Sequence, residues 1–109
     1  MDKLDLPESY LTELLALLRA HVPDSEVWAY GSRLRGSAHA ASDLDLVVRD
    51  PIDPSKAQTT MGRLREALSE SSLPILVDVL DWARIPESFR TEIGRSHVVL
   101  HSPSREATL

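Results

Sequence analysis

The sequence predicts an α+β fold, a small β-sheet with helices packed on one face. Three observations predict it. Segments with leucines at helical spacing alternate along the chain with short runs of β-branched and aromatic residues. One run, DLDLVVRD, alternates polar and apolar residues, as a strand with one buried face does. The length of 109 residues suits a single domain over 1–109, with one core and no room for a second.

The elements follow in order. Pro7 opens a helix to about His21, in which Leu11, Leu14, Leu15, Leu17 and Leu18 recur at helical spacing. PDSE is a turn, and EVWAYGS reads as a strand that ends at Gly31-Ser32. RLRGSAHAAS is a short helix or loop, with Gly36 supplying a bend. DLDLVVRD is the second strand and PIDP breaks it. SKAQTTMGRLREALSESS reads as a helix with Met61, Leu64, Ala67 and Leu68 on one face, although Gly62 weakens its middle. PILVDVLDW is a third strand. IPESFRTEIGRS is a short helix with Gly94 expected at its C-terminal cap, and HVVLH is a fourth strand.

Composition narrows the function classes. The net charge of −5 argues against a broad nucleic-acid-binding surface. With no cysteine, disulfides, thiolate chemistry and cysteine–zinc sites are excluded. The polar N-terminus is unlike a signal peptide and no apolar run approaches a membrane span, so a cytoplasmic location is the expectation.

The chemistry concentrates in GSRLRGSAHAASDLDL, Gly31 to Leu46. Asp43 and Asp45 stand two apart in a predicted strand, so both face one side, about 7 Å apart, while Leu44, Leu46 and Val48 face the core. Two carboxylates on one face repel unless a cation lies between them, and hard oxygen ligands suit magnesium. On its own a D-x-D pair is more often a solvated strand face. Asp78 shifts that balance: it stands inside the apolar run ILVDVL, where an acid needs a partner or a pocket. Asp81 is the rival third carboxylate, but near the strand end it reads as a solvated residue. At the other end of the stretch, the Gly31-Ser32 turn can aim backbone amides at a phosphate, with Arg33 beside it. Gly31 and Gly36 have the spacing of the Walker A glycines, but Ser37 and Ala38 stand where that loop needs Lys and Ser or Thr, so a P-loop is rejected. Together these parts describe two-metal phosphoryl transfer: a turn for a triphosphate and three carboxylates for two Mg²⁺ ions. Attack on the α-phosphorus of a nucleoside triphosphate would transfer a nucleotide and release pyrophosphate.

Gly31-Ser32, ten residues, then Asp43-Leu44-Asp45 resembles the GS-x10-D-x-D signature of the polymerase-β-like nucleotidyltransferases. GSRLRG…SDLDLVV is similar to the minimal nucleotidyltransferase (MNT) family, and LVDVLDW and IPESFRTEIGRSHVVL resemble its third catalytic strand and C-terminal segment. The resemblance implies a polymerase-β-like fold with a mixed sheet, ATP as substrate and magnesium as cofactor. It implies that Asp43, Asp45 and Asp78 are catalytic, metal-binding carboxylates, and that Gly31 and Ser32 contact the triphosphate; Arg33, beside the turn, is read as assisting phosphate binding. Many MNT proteins are antitoxins of HEPN ribonuclease toxins, and some neutralise the toxin by transferring AMP to one of its tyrosines. A HEPN-type toxin is therefore the expected partner and acceptor; no membrane partner is expected, and self-association stays open. The absence of an acceptor-binding domain supports delivery of the acceptor by a partner.

Two other readings remain open. The chain neutralises its toxin by direct binding, through the apolar N-terminal helix and Trp82, with a vestigial nucleotidyl site. Alternatively, it transfers a nucleotide to a small molecule or RNA. Arg35 and Arg49 read equally as phosphate contacts or surface charges. His21, His39, His97 and His101 show no metal-ligand spacing, and Trp28 and Trp82 read as core or partner contacts.

Overall fold

The structure, a computed structural model, describes residues 4–31, 34 and 43–103. Its elements are helix α1 (Glu8–His21), strands β1 (Glu26–Tyr30) and β2 (Leu44–Arg49), helix α2 (Met61–Ser69), strand β3 (Val77–Asp81), a 3-10 turn (Trp82–Arg84), helix α3 (Glu87–Arg95) and strand β4 (Val98–His101). The four strands form one mixed sheet in the order β3-β2-β1-β4. β1 runs antiparallel to both β2 and β4, while β2 and β3 are parallel and joined through α2. A parallel pair needs a crossover connection, and α2 supplies it between β2 and β3.

The main core lies between α1, α2 and one face of the sheet. Leu14 and Leu18 of α1, Leu64 of α2, and Val27, Ala29, Leu44, Leu46 and Val48 of β1 and β2 have no exposed surface, and Val79 of β3 joins them. Burying each such aliphatic side chain contributes about 1.5–3 kcal/mol. α1 packs Leu14 and Leu18 fully inside the domain, while Leu11, Leu15 and Leu17 are partly buried. The opposite face carries Trp28, Tyr30, Asp45, Val47, Arg49 and Leu80, cross-strand neighbours by the pairing register. α3 reaches this second face, where Phe89 meets Tyr30 edge-to-face at 5.7 Å and the Arg90 Nε–H donates to the Trp82 carbonyl at 2.9 Å. Among the described residues no helix is long and apolar enough to cross a membrane.

Three element boundaries differ from the sequence expectation. β3 begins at Val77 and not at Pro74. α2 begins at Met61, because the preceding residues are bonded elsewhere. The Gln58 N–H donates to Asp81 Oδ2 (2.9 Å), Ser25 Oγ donates to Gln58 Oε1 (2.8 Å) and Thr60 Oγ1 donates to the His21 carbonyl (3.2 Å). These contacts hold the segment against the sheet end in a non-helical path. Gly94 is not a cap: α3 continues through it to Arg95, with Ser96 at the C-terminal cap position. The PIDP break is confirmed as a turn in which Asp50 accepts from the N–H groups of Ile52 and Asp53 (2.9 and 3.0 Å). Those bonds hold the Asp50 carboxyl below the usual aspartate range. The short helix or loop expected at RLRGSAHAAS, with the bend at Gly36, lies outside the described residues apart from Leu34, which is buried.

Candidate active site

The site is built where β1 ends and β2 and β3 begin. Asp45, the second residue of β2, pairs in register with Tyr30 on one side and with Asp78 on the other. Paired positions across neighbouring strands project to one face, so the three side chains stand in a row across the sheet. Asp78 is exposed and Asp45 half-buried. Asp43 lies one residue before β2 begins and is exposed; its charge still reaches Asp45.

The electrostatics follow from this row. Burial, then the charge of Asp78, then that of Asp43 push the Asp45 carboxyl above the usual aspartate range. The Tyr30 phenol is pushed far above the ordinary tyrosine range by burial, then by Asp45 and Asp78. Protein groups thus leave a concentration of negative potential on an open sheet face. Hard carboxylate oxygens with a deficit of positive charge fit a divalent cation such as Mg²⁺. Among the described residues no three or more His, Asp or Glu side chains are grouped so that they could hold a metal ion. An open arrangement of this kind suits an ion that completes its shell with water and substrate phosphate.

Gly31 abuts the acidic row. Its φ of +91° is the one positive value among the described residues, and a β-carbon there would stand 2.6 Å from Asp45 Oδ2. Only glycine accepts both conditions without strain. The turn continues with Leu34 N–H donating to the Gly31 carbonyl at 3.1 Å, anchored by the buried Leu34 side chain. Ser32 and Arg33, expected beside a triphosphate, lie outside the described residues, as does Arg35.

The two rival acids separate clearly. Asp78 faces the same side as Asp45, in register with it. Asp81, read from the sequence as a solvated residue, is instead 4% exposed. It accepts from the Gln58 and Ala83 N–H groups (2.9 and 3.2 Å) and pairs with Arg84 Nε at 3.3 Å. Its carboxylate pins the segment before α2 to the 3-10 turn after β3. The alternation of β3 turns these two acids, three residues apart, to opposite faces.

Arg49 is not a phosphate contact. It stands four residues along β2 from Asp45, about 13 Å away. It pairs with Glu26 across the strands and lies over the rings of Trp28 and Trp82, at 4.8 and 5.2 Å from their centroids. His97 stacks on Trp28 at 3.9 Å between centroids. Trp28 and Trp82, both half-buried on the second face, meet edge-to-face at 5.1 Å. Tyr30 was not singled out by the sequence. The available signal was its place immediately before the glycine–serine turn.

The family model for Polymerase beta, Nucleotidyltransferase matches residues 14–106. A probable protein adenylyltransferase MntA of Haemophilus influenzae (strain ATCC 51907 / DSM 11121 / KW20 / Rd) is 41% identical over 105 residues, covering 94% of this chain and 89% of that protein. Among solved structures, a toxin–antitoxin with AMP-PNP superimposes with a TM-score of 0.67 at 22% identity, covering 91% of this chain and 76% of the other. A mutant MntA-HpeT toxin–antitoxin gives the same TM-score of 0.67 at 18% identity, over 86% and 74% of the two chains. These structural likenesses establish the shared fold, and the match over residues 14–106 establishes the lineage: the chain belongs to the polymerase beta nucleotidyltransferase family.

Proposed function

We propose that this protein is a magnesium-dependent nucleotidyltransferase that moves AMP from ATP to a partner protein, a tyrosine of a HEPN-type ribonuclease toxin, and so acts as the antitoxin of the pair. The observation that carries the reading is the in-register Asp45–Asp78 pair on an open sheet face, abutting Gly31. The 41% identity to a probable protein adenylyltransferase supports a protein acceptor. The toxin–antitoxin complexes that share the fold support a toxin as partner.

In this reading Asp43, Asp45 and Asp78 hold the metal ions, and Gly31, Ser32 and Arg33 hold the triphosphate. The magnesium ions supply charge stabilisation for the attacking and leaving oxygens. The acceptor phenol oxygen attacks the α-phosphorus, the bond between the α-phosphorus and its bridging oxygen breaks, pyrophosphate leaves, and the phenol proton passes to solvent. The exposed Asp78 on edge strand β3 leaves one side of the row open to a macromolecular acceptor. A cytoplasmic site of action follows from the need for ATP and an intracellular toxin.

The test is incubation of the protein and its partner with magnesium and ATP labelled at the α- or γ-phosphate. Transfer of the α-label alone to the partner is the expected outcome. Transfer of the γ-label would make the protein a kinase, and no transfer to a competent toxin would leave neutralisation by binding as the better account.

A further inference from the structure

We propose that the cleft between the end of β1 and α3 is the nucleobase subsite, and that Glu92 at its rim selects a purine bearing an exocyclic amino group. The inference rests on the nucleotidyl-transfer reading and extends it to the part of the substrate that the acidic row and the glycine turn do not touch.

The cleft measures about 220 Å³ and is lined by Tyr30, Gly31, Phe89, Glu92, Ile93 and Ser96. Its position is the first argument. It shares Gly31 with the phosphate turn and Tyr30 with the acidic row, since Tyr30 is the cross-strand partner of Asp45. A molecule whose phosphates lie at the turn reaches this cleft without crossing Asp45 and Asp78. The acceptor then has the opposite side, at the exposed Asp78 on the sheet edge. A cavity of about 230 Å³ beside Ser25 and Asp50 lies at the far end of β1 and β2, and one of about 190 Å³ is lined by Leu68, Leu73, Ile75 and Val77; neither is lined by Tyr30 or Gly31.

Chemistry is the second argument. Tyr30 and Phe89 meet at 85° between ring planes, which gives the cleft aromatic walls in two orientations, above the buried Ile93. Aromatic walls of this kind hold a base by its π-face. Size agrees: the cleft admits a base but is smaller than pockets that enclose a whole drug-sized ligand, which run from about 300 Å³ upward. Selection comes from the polar rim. An ionised carboxylate only accepts hydrogen bonds, so Glu92 favours an amino edge over a carbonyl edge.

The experiment is calorimetric titration of the full-length protein with three magnesium-loaded probes: ATP, inosine triphosphate (a carbonyl in place of the amino group) and tripolyphosphate (no base). The native protein is expected to bind ATP about tenfold more tightly than inosine triphosphate, the scale of one hydrogen bond to a charged group. Phe89→Ala should weaken ATP binding by about tenfold, the scale of one lost base–aromatic contact, and leave tripolyphosphate binding unchanged. Glu92→Ala, at an exposed position that folding does not depend on, should erase the preference for ATP over inosine triphosphate. Native-like ATP affinity in Phe89→Ala, or an intact preference in Glu92→Ala, overturns the subsite. Equal native affinity for ATP and tripolyphosphate overturns it too but leaves the transfer reading standing. A native protein that binds none of the probes overturns both.

Discussion

Gly31 and Asp45 fit each other as a pair: a β-carbon on Gly31 would approach Asp45 Oδ2 to 2.6 Å, and the glycine itself sits at φ +91°. The glycine that turns the chain after β1 therefore also sets where the half-buried carboxylate can point. The two halves of the sequence motif meet in space, although Gly31 and Asp45 belong to different elements.

Gly31→Ala should for this reason damage chemistry more than fold. The positive φ costs about 1–2 kcal/mol for a residue with a β-carbon. The added methyl also drives the Asp45 carboxylate off its position. Urea denaturation is expected to show a modest loss of stability, while label transfer falls by about a hundredfold, the scale of one misplaced catalytic group. Transfer at the native rate would show that Asp45 is free to take another rotamer without cost.

Asp45→Asn separates electrostatic strain from ligand binding. Folding raises the Asp45 pKa, so the folded state binds this proton more tightly than the unfolded state does. That effect penalises stability above the raised pKa and disappears below the usual aspartate value. Removing the charge should leave the metal-free protein at neutral pH melting at or above the native temperature. Mg²⁺ should raise the melting temperature of the native protein but not of this variant. An undiminished magnesium response in Asp45→Asn would place the ion elsewhere.

Asp81→Ala should behave in the opposite way to a change at the acidic row. It orphans the Gln58 and Ala83 N–H groups at a buried position and removes the ion pair to the exposed Arg84. A loss of about 2–3 kcal/mol in denaturant titration is expected, with the folded fraction still competent in transfer. Abolished transfer in a fully folded Asp81→Ala protein would make Asp81, not Asp78, the third catalytic acid.

Gly62→Ala should stabilise the protein. Gly62 is an exposed position inside α2, and an added β-carbon there meets nothing within 4 Å. Replacing glycine with alanine in a helix interior contributes about 0.5–1 kcal/mol, readable as a higher urea midpoint at unchanged slope. A lower midpoint would mean that the α2 backbone is strained in a way its dihedral angles do not reveal.

Much of this architecture is legible in the sequence because local patterns and tertiary needs agree. The leucines of α1 and the alternation of β2 mark the main buried face, although Val47 on the opposite face of β2 is buried too, and Asp78 stands out as an acid in an apolar run. What the sequence does not carry is pairing. The parallel register that sets Asp78 beside Asp45 is a long-range property, as is the antiparallel register that brings Tyr30 to the other side. The same limit explains Asp81, whose three partners come from segments before and after its strand. It also explains the late start of α2, where the side-chain bonds of Ser25, Asp81 and Thr60 override a helical pattern. His97 and Arg49 look like surface residues until the sheet stacks them against Trp28.

The most direct test of the central claim is toxin neutralisation and α-label transfer measured side by side for the native protein and Asp78→Asn. Asp78 is exposed, so its amide should fold as the native protein does. The account predicts that Asp78→Asn loses both transfer and neutralisation while still forming the complex. Full neutralisation by Asp78→Asn without any labelled partner would contradict it, and would make this protein an antitoxin that acts by contact.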